Sequence, residues 1–285
     1  MTRLRFIVDL IRERLAQWPA LTAVGLLGIA LAAMCGTMVL IRGPEIPPEG
    51  NLIDTGSFDG AVGWFTLTLA VLASGVTWTP RKRRNWVGVV VTVTLYGFAV
   101  ETIQVFRGLD PRFSGVAGLV DQVAGVVLGV AAVVLAICFT VVGIQYFRAI
   151  PTPVVLAVRY GAVAAWMAFG VGIMMSVVQG RHVAEHGNLL FVHAAGFHGL
   201  QFIPAVALFH QWASNDPWTT RRFVHVAGIA WLGACLGLAW QAGSGHAISD
   251  ITPPGILVTL CLTVFAGVLM IAAWTWARAG APITA

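Results

Sequence analysis

Residues 116–147 read VAGLVDQVAGVVLGVAAVVLAICFTVVGIQYF, and this stretch decides the class of fold. It contains one charged side chain, that of Asp121, in a run longer than the roughly 20 apolar residues that a helix needs to cross a bilayer. Of the 285 residues in the chain, 58% are hydrophobic and 10% are charged, whereas soluble domains average roughly 25% charged residues. We therefore predict an all-α, polytopic integral membrane protein, and the length of this segment predicts a tilted or broken helix.

Eight segments are long and apolar enough to span a membrane, and prolines mark the connections between them. They cover residues 21–41, 61–78, 86–106, 116–147, 155–178, 189–212, 223–242 and 255–277. Lys and Arg are enriched in cytoplasmic loops. With both termini in the cytoplasm, 13 of the 17 Lys and Arg residues fall on the cytoplasmic side. The sequence thus predicts a multi-pass protein of a bacterial-type inner (plasma) membrane, with both termini on the cytoplasmic side.

The same orientation places polar chemistry on the outer side. Seven of the twelve acidic residues are expected there, in loops: Glu45, Glu49, Asp54, Asp59, Asp110, Glu185 and Asp250.

Three regions are distinguished along the chain. Residues 1–17 alternate apolar and arginine faces at helical spacing, which is typical of a basic amphipathic helix on a membrane surface. Residues 18–147 and 148–285 each contain four predicted spans, and no sequence repeat is evident between them.

The third predicted span carries a carboxylate close to its outer end. Glu101 and Gln104 are three residues apart and therefore share one helix face. A carboxylate at mid-membrane costs roughly 2.5–3.5 kcal/mol on insertion scales, so Glu101 should face the bundle and pair with an arginine or a ligand. The candidate ligand-binding residues are Glu101, Gln104, Arg107, Arg112, Asp121 and Gln122.

Around these residues the chain resembles the VanZ-like family. That family has a membrane Glu-x-x-Gln, an outer loop with an Arg, and then an Asp before Asn-x-x-Gly-x-x-x-Gly. This chain reads Glu101-Thr-Ile-Gln104, then Arg107 or Arg112, then Gln122-Val-Ala-Gly125-Val-Val-Leu-Gly129. It departs from the pattern at Gln122, where Asn is expected, and at Gly118, where the Asp is expected, with Asp121 displaced beside it.

The resemblance covers residues 18–147 only. It implies a cell-envelope role, because the family is associated with reduced susceptibility to glycopeptide antibiotics such as teicoplanin. The expected partners are membrane lipids and a lipid-linked or otherwise amphiphilic small molecule at the outer leaflet. Nucleic acid is not expected, because the basic residues are spread over several loops.

The second half contains four of the seven histidines within one stretch, residues 182–198. Neutral imidazole is the commonest protein ligand for metals and a usual ligand of haem. The candidate ligands of a metal ion or a haem are His182, His186, His193, His198, Gln201 and His246. Hydrogen bonding between helices is the alternative explanation, because it is common for membrane histidines.

The sequence leaves the function open between several classes. The leading hypothesis is an envelope protein that binds or acts on an amphiphilic ligand. The alternatives are a metal- or haem-dependent membrane oxidoreductase, a proton-coupled transporter that uses Glu101 and Asp121, and a scaffold for other membrane proteins. No catalytic residue is predicted, and no reaction is assigned.

Overall fold

The computed structural model describes residues 3–214 and 216–279 and is 79% helical. Within these ranges it contains nine helices: α1 Arg3–Ala16, α2 Pro19–Arg42, α3 Leu52–Ala73, α4 Pro80–Phe106, α5 Leu119–Arg148, α6 Pro153–Val177, α7 Leu190–Ala213, α8 Pro217–Gly243 and α9 Pro253–Arg278. The helices α2 to α9 are all long and apolar enough to cross a membrane. The chain is therefore an all-α, multi-pass membrane protein, as predicted.

Four two-residue strands form two small antiparallel hairpins in the described residues. They are β1 Glu45–Ile46 with β2 Gly50–Asn51, and β3 His182–Val183 with β4 Gly187–Asn188. Each hairpin follows the first membrane helix of its half of the chain and leads directly into the second.

Two differences from the predicted spans bear on the argument below. The helix α3 begins at Leu52, nine residues before the predicted start, because the Asn51 side chain accepts hydrogen bonds from the backbone N–H groups of Ile53 and Asp54. Asp54 and Asp59 therefore lie within this helix and not in an outer loop, and Asp59 is fully buried. The helix α5 is continuous, so the alternative of a broken helix over residues 116–147 is wrong.

The chain divides into two compact units, residues 1–142 and 143–285. In the first unit, α2 and α3 pack through glycines. A Cβ atom added to Gly28 would lie 2.6 Å from the carbonyl oxygen of Asp59, and one added to Gly63 would lie 2.7 Å from that of Gly25. Only glycine permits backbones to approach so closely.

The second unit uses the same device. A Cβ atom added to Gly161 of α6 would lie 2.8 Å from the carbonyl oxygen of Gly199 in α7. Trp231 of α8 donates its indole N–H to the carbonyl of Ala195 at 3.0 Å, and its ring packs on Phe265 of α9. These contacts tie α7, α8 and α9 together around one apolar core.

The two units repeat the same architecture, which sequence inspection did not detect. Apart from α1, which has no counterpart among the described residues of the second unit, each has a helix, a hairpin and three further helices in the same order. The backbone N–H of Glu49 donates to the carbonyl of Gly108 at 2.8 Å, and that of His186 donates to Gly245 at 3.0 Å. His186 follows Glu49 in the chain by the same number of residues as Gly245 follows Gly108. The two hydrogen bonds therefore identify an internal repeat.

Further bonds repeat at the same offset. The N–H of Leu52 donates to Pro44, and that of Leu189 donates to Arg181, both at 2.8 Å. The fourth and eighth helices both contain 27 residues and both begin with proline.

Candidate functional site

The first unit contains a buried ion pair near the end of α4. Glu101 is fully buried, and its Oε1 atom lies 3.1 Å from Nε of Arg112. Arg112 belongs to the loop between α4 and α5, and its side chain is 31% exposed. The pair therefore connects the interior of the unit to the surface of this loop.

A second buried carboxylate lies close to this pair. Asp59 reaches it from α3, and its Oδ2 atom accepts a hydrogen bond of 3.2 Å from the Thr102 hydroxyl. Asp59 repels Glu101 electrostatically, whereas Arg112 attracts both carboxylates. Two buried carboxylates thus lie within the electrostatic influence of one guanidinium group, which contacts Glu101 directly. Charged side chains are rare within membrane spans.

The loop that carries Arg112 is fixed by carboxylates. Oδ1 of Asp110 accepts the backbone N–H groups of Arg112 at 2.8 Å and Phe113 at 3.0 Å. Glu49 from the first hairpin accepts the Ser114 hydroxyl and, at 2.9 Å, the backbone N–H of Gly115. Arg112 is consequently held before any ligand arrives.

The hydrogen bond from Ser114 lowers the pKa of Glu49, with smaller contributions from nearby backbone N–H groups. The carboxylate form that binds the loop is thereby favoured. The Arg112 guanidinium carbon also lies 5.6 Å from the centre of the Phe58 ring, which is within cation–π range.

Arg107 and Asp121 form a separate, more exposed ion pair. The guanidinium nitrogens of Arg107 lie 2.5 and 3.1 Å from the two carboxylate oxygens of Asp121. This hydrogen bonding raises the pKa of Arg107. The pair joins the end of α4 to the start of α5, and half of the arginine side chain remains exposed.

The two predicted glutamines bind backbone carbonyl groups. Nε2 of Gln104 donates to the carbonyl of Asp121 at 3.3 Å, and Nε2 of Gln122 donates to that of Ala117 at 3.0 Å. All six predicted ligand-binding residues thus lie in or beside the loop between α4 and α5. Of these six, Glu101 and Arg112 form the buried pair, Arg107 and Asp121 form the exposed pair, and the two glutamines bind the backbone.

Sequence analysis missed the role of Asp59. It counted this residue among the outer acids because the predicted second span began after it. The available signal was a single carboxylate between Phe58 and Gly60, directly before an apolar run. A charged residue at such a position is consistent with a helix interior only when it is paired.

The six residues predicted as metal or haem ligands occupy several environments in the second unit. Nδ1 of His193 lies 2.8 Å from the carbonyl of Ala168, and its ring packs edge-on against Phe197. His198 is exposed on α7, beside Phe202. Gln201 is half-buried on the same helix.

The remaining three predicted ligands are on loops or strands. His182 lies in β3, His186 is 3.7 Å from Glu185, and His246 is 3.7 Å from Asp250. Across residues 3–214 and 216–279, no group of three or more His, Cys, Asp or Glu side chains could hold a metal ion. The metal or haem site thus remains a prediction that this geometry does not support.

The arrangement that the structure does assemble is a pair of buried carboxylates with a loop-borne arginine. The VanZ-like resemblance rests on the residues quoted above, of which Glu101 and Arg112 meet in this pair. Comparisons of the chain with protein-family models, curated proteins and solved structures give no significant match.

Proposed function

We propose that this protein has a VanZ-like role in the cell envelope and binds the polar group of an amphiphilic ligand, lipid-linked or of the glycopeptide type. The buried ion pair between Glu101 and Arg112 is the observation that carries the proposal. A buried carboxylate in a membrane protein is costly, and it marks a functional site by default. Arg112 is partly exposed on the loop, which gives a ligand a route to the pair.

The buried carboxylate oxygens without a donor suggest what the ligand offers. Oε2 of Glu101 and Oδ1 of Asp59 are buried without a hydrogen-bond partner, whereas Oε1 of Glu101 has the ion-pair contact with Arg112. Buried acceptors of this kind normally have partners. A ligand that supplies hydroxyl or ammonium donors would satisfy them, and glycopeptides and lipid-linked sugars carry such groups.

Charge balance points in the same direction. Asp59 and Glu101 carry two negative charges when ionised, and Arg112 offers one positive charge. A bound ammonium group or a retained proton would neutralise the remaining charge.

The test is teicoplanin susceptibility of a glycopeptide-susceptible bacterial host that expresses the protein. Wild type should reduce susceptibility, and Glu101→Gln should remove most of this effect because the ion pair is lost while the shape is kept. Glu45→Gln is the matched control, since Glu45 is an exposed glutamate of the first hairpin. Gln104→Ala should weaken the effect less than Glu101→Gln.

A binding measurement separates ligand recognition from folding. Purified wild type and Glu101→Gln should elute identically from a sizing column, and only wild type should bind teicoplanin or a lipid-linked sugar. If Glu101→Gln and Gln104→Ala change neither susceptibility nor binding, the proposal is wrong.

Proton-coupled transport is the second candidate, because Asp59 and Glu101 lie on neighbouring helices and interact electrostatically. Asp121 is a poorer carrier than sequence analysis assumed, since Arg107 holds it in an ion pair. Substrate uptake into vesicles that depends on a pH gradient, and that Asp59→Asn abolishes, would favour this function over simple binding.

A further inference from the structure

A cavity of about 540 Å³ lies at the opposite end of the first unit from Glu101. It is bounded by the junction of α1 and α2, the end of α3 and the start of α4. Its lining is mostly apolar and includes two arginines, Arg83 and Arg84, but no acidic residue among those that the structure describes. The topology predicted from the arginine distribution places this end of the unit in the cytoplasm.

Two arginines at the cavity differ in their contacts. Arg83 donates to the carbonyl of Gln17, and its guanidinium carbon lies 4.3 Å from the centre of the Trp18 ring. Arg84 has no hydrogen bond and no ion pair among the described residues, and it adds an unneutralised positive charge. An arginine guanidinium is the preferred partner for a phosphate group because it can donate two parallel hydrogen bonds.

The backbone adds positive potential at the same place. The helices α2 and α4 both begin at this cavity, with Pro19 and Pro80 in their first turns. Helix amino termini carry partial positive charge and unpaired N–H groups. No side chain caps the amino terminus of α2.

An independent observation comes from the indole groups. Trp78 and Trp86 donate their N–H groups to the carbonyls of Ala73 and Cys138, each at 3.0 Å. The residue Trp18 is only 4% exposed, and its indole N–H is buried without a hydrogen-bond partner. A buried donor of this kind calls for an acceptor, and Trp18 lines the cavity.

The second unit has a smaller cavity of about 420 Å³ at the corresponding place. There Arg221, which corresponds to Arg84, already donates to the carbonyl of Pro151 at 2.7 Å, and Thr220 lies at the position of Arg83. The second cavity therefore has one arginine where the first has two, and part of that guanidinium group is bound to the backbone. The comparison favours the first cavity over the second as an anion-binding site.

We propose that the cavity of the first unit binds the phosphate of an anionic phospholipid from the cytoplasmic leaflet. Arg84, the Trp18 N–H and the start of α2 would donate to the phosphate oxygens. The apolar lining, which includes Ala20, Val76 and Val87, suits the glycerol and first acyl carbons of a lipid better than a free phosphate ion.

The test is native mass spectrometry of the full-length protein in detergent with added dioleoyl-phosphatidylglycerol or dioleoyl-phosphatidylcholine. Wild type should retain phosphatidylglycerol in preference. Arg84→Gln should weaken this binding about tenfold, as expected for a lost charge-assisted contact. Arg81→Gln is the matched control, because it removes the same charge one residue from Lys82 and outside the cavity.

Two further variants guard against misreading a folding defect. Trp18→Phe removes the indole N–H but keeps an aromatic ring, and it should weaken phosphatidylglycerol binding several-fold. Arg84→Lys keeps the charge without the forked geometry and should give an intermediate loss. Lipid binding is compared only for variants whose unfolding temperature in detergent equals that of wild type.

Three outcomes would overturn the proposal. Equal losses for Arg84→Gln and Arg81→Gln would mean that general surface charge attracts the lipid. Equal retention of the two lipids would remove the preference for an anionic head group. Displacement of phosphatidylglycerol by millimolar inorganic phosphate would assign the cavity to a soluble phosphate and not to a lipid.

Discussion

The two units share a scaffold but differ in the chemistry that it carries. Gln104 and Gln241 occupy corresponding positions, and both use the side-chain amide to bind backbone carbonyls farther along the chain. Gln104 donates to Asp121 in the first turn of α5, and Gln241 donates to Ala247 and Asp250 in the loop before α9. One helical turn earlier the first unit has the buried Glu101, whereas the second unit has Leu238. Residues that recur in both units therefore maintain the fold, and those that occur once are the candidates for function.

The loops after the two helices extend this contrast. Arg112 corresponds to Ser249, so neither member of the buried ion pair has a charged counterpart in the second unit. Leu238 instead packs in an apolar cluster with Leu189 and Val258. The chemistry of Glu101 is thus a property of one repeat and not of the shared scaffold.

The largest expected effect comes from transferring the carboxylate. Leu238→Glu would bury a charge with no arginine beside it, and this should destabilise the protein by about 3–5 kcal/mol or prevent its accumulation in the membrane. The measurement is thermal unfolding in detergent, with Leu238→Met as the control of similar volume. Retention of wild-type stability would show that the second unit tolerates a carboxylate as the first does.

Substitution of the loop glycines tests whether corresponding positions of the two units also contribute similarly to stability. Gly108 and Gly245 both have φ of +77°, and a Cβ atom would lie 2.0 Å from the Pro47 carbonyl oxygen in the first case and 2.9 Å from the Ala184 Cβ in the second. We expect Gly108→Ala to lower the free energy of unfolding by about 3 kcal/mol and Gly245→Ala to lower it by about 2 kcal/mol.

Gly43→Ala is the control for this pair. Gly43 also has a positive φ, of +87°, but no atom lies within 4 Å of the added Cβ. It should cost only about 1 kcal/mol, from backbone strain alone. A cost for Gly108→Ala no greater than that for Gly43→Ala would mean that the hairpin moves away freely.

The helix starts after the hairpins should show a smaller effect. Asn51 accepts two backbone N–H groups, whereas the side chain of Asn188 accepts that of Leu190 at 2.9 Å. Replacement of either by Ala should cost about 1 kcal/mol, and somewhat more for Asn51. The free energy of unfolding in urea measures this, and Asn51→Asp, which keeps the acceptor, should be close to wild type.

The smallest expected effect is the loss of stability at acid pH that results from protonation of Glu49. The pKa of Glu49 is lowered from its ordinary value of 4.5 in the folded protein, chiefly by the Ser114 hydrogen bond. Its contribution to stability is therefore fully present above pH 4.5 and is lost as the pH falls through the lowered pKa. The second hairpin has His186 at this position and lacks this carboxylate.

The unfolding temperature from pH 7 to 3.5 checks this prediction. Glu49→Gln should unfold at a lower temperature than wild type near neutral pH, and the two should converge in acid. Glu45→Gln changes the same residue type in the same hairpin and should follow wild type throughout. A constant difference between wild type and Glu49→Gln would exclude the proposed linkage.

The sequence predicted the membrane helices well, because an apolar run of sufficient length has few other stable states in lipid. It failed at the start of α3, where Asp54 and Asp59 were assigned to a loop. The burial of Asp59 depends on Arg112 and Thr102, which are remote in sequence. Periodicity and composition contain no information about such partners.

The choice between Arg107 and Arg112 as partner of Glu101 was also beyond the sequence. Both residues lie in the same loop, and the outcome depends on how Asp110 and Asp121 hold the backbone and the other arginine. The internal repeat was hidden for a related reason. Its hydrogen bonds are between backbone groups, which most side chains allow.

The close glycine contacts between the first two membrane helices of each unit have a consequence for membrane insertion. The helices α3 and α7 are the least apolar of the eight spans. Each follows a helix with which it packs backbone to backbone. Such a helix gains a partner as soon as it leaves the translocation channel, so we expect the spans of each pair to enter the bilayer together. Gly63 and Gly199 would then be needed during membrane insertion as well as for packing in the folded protein.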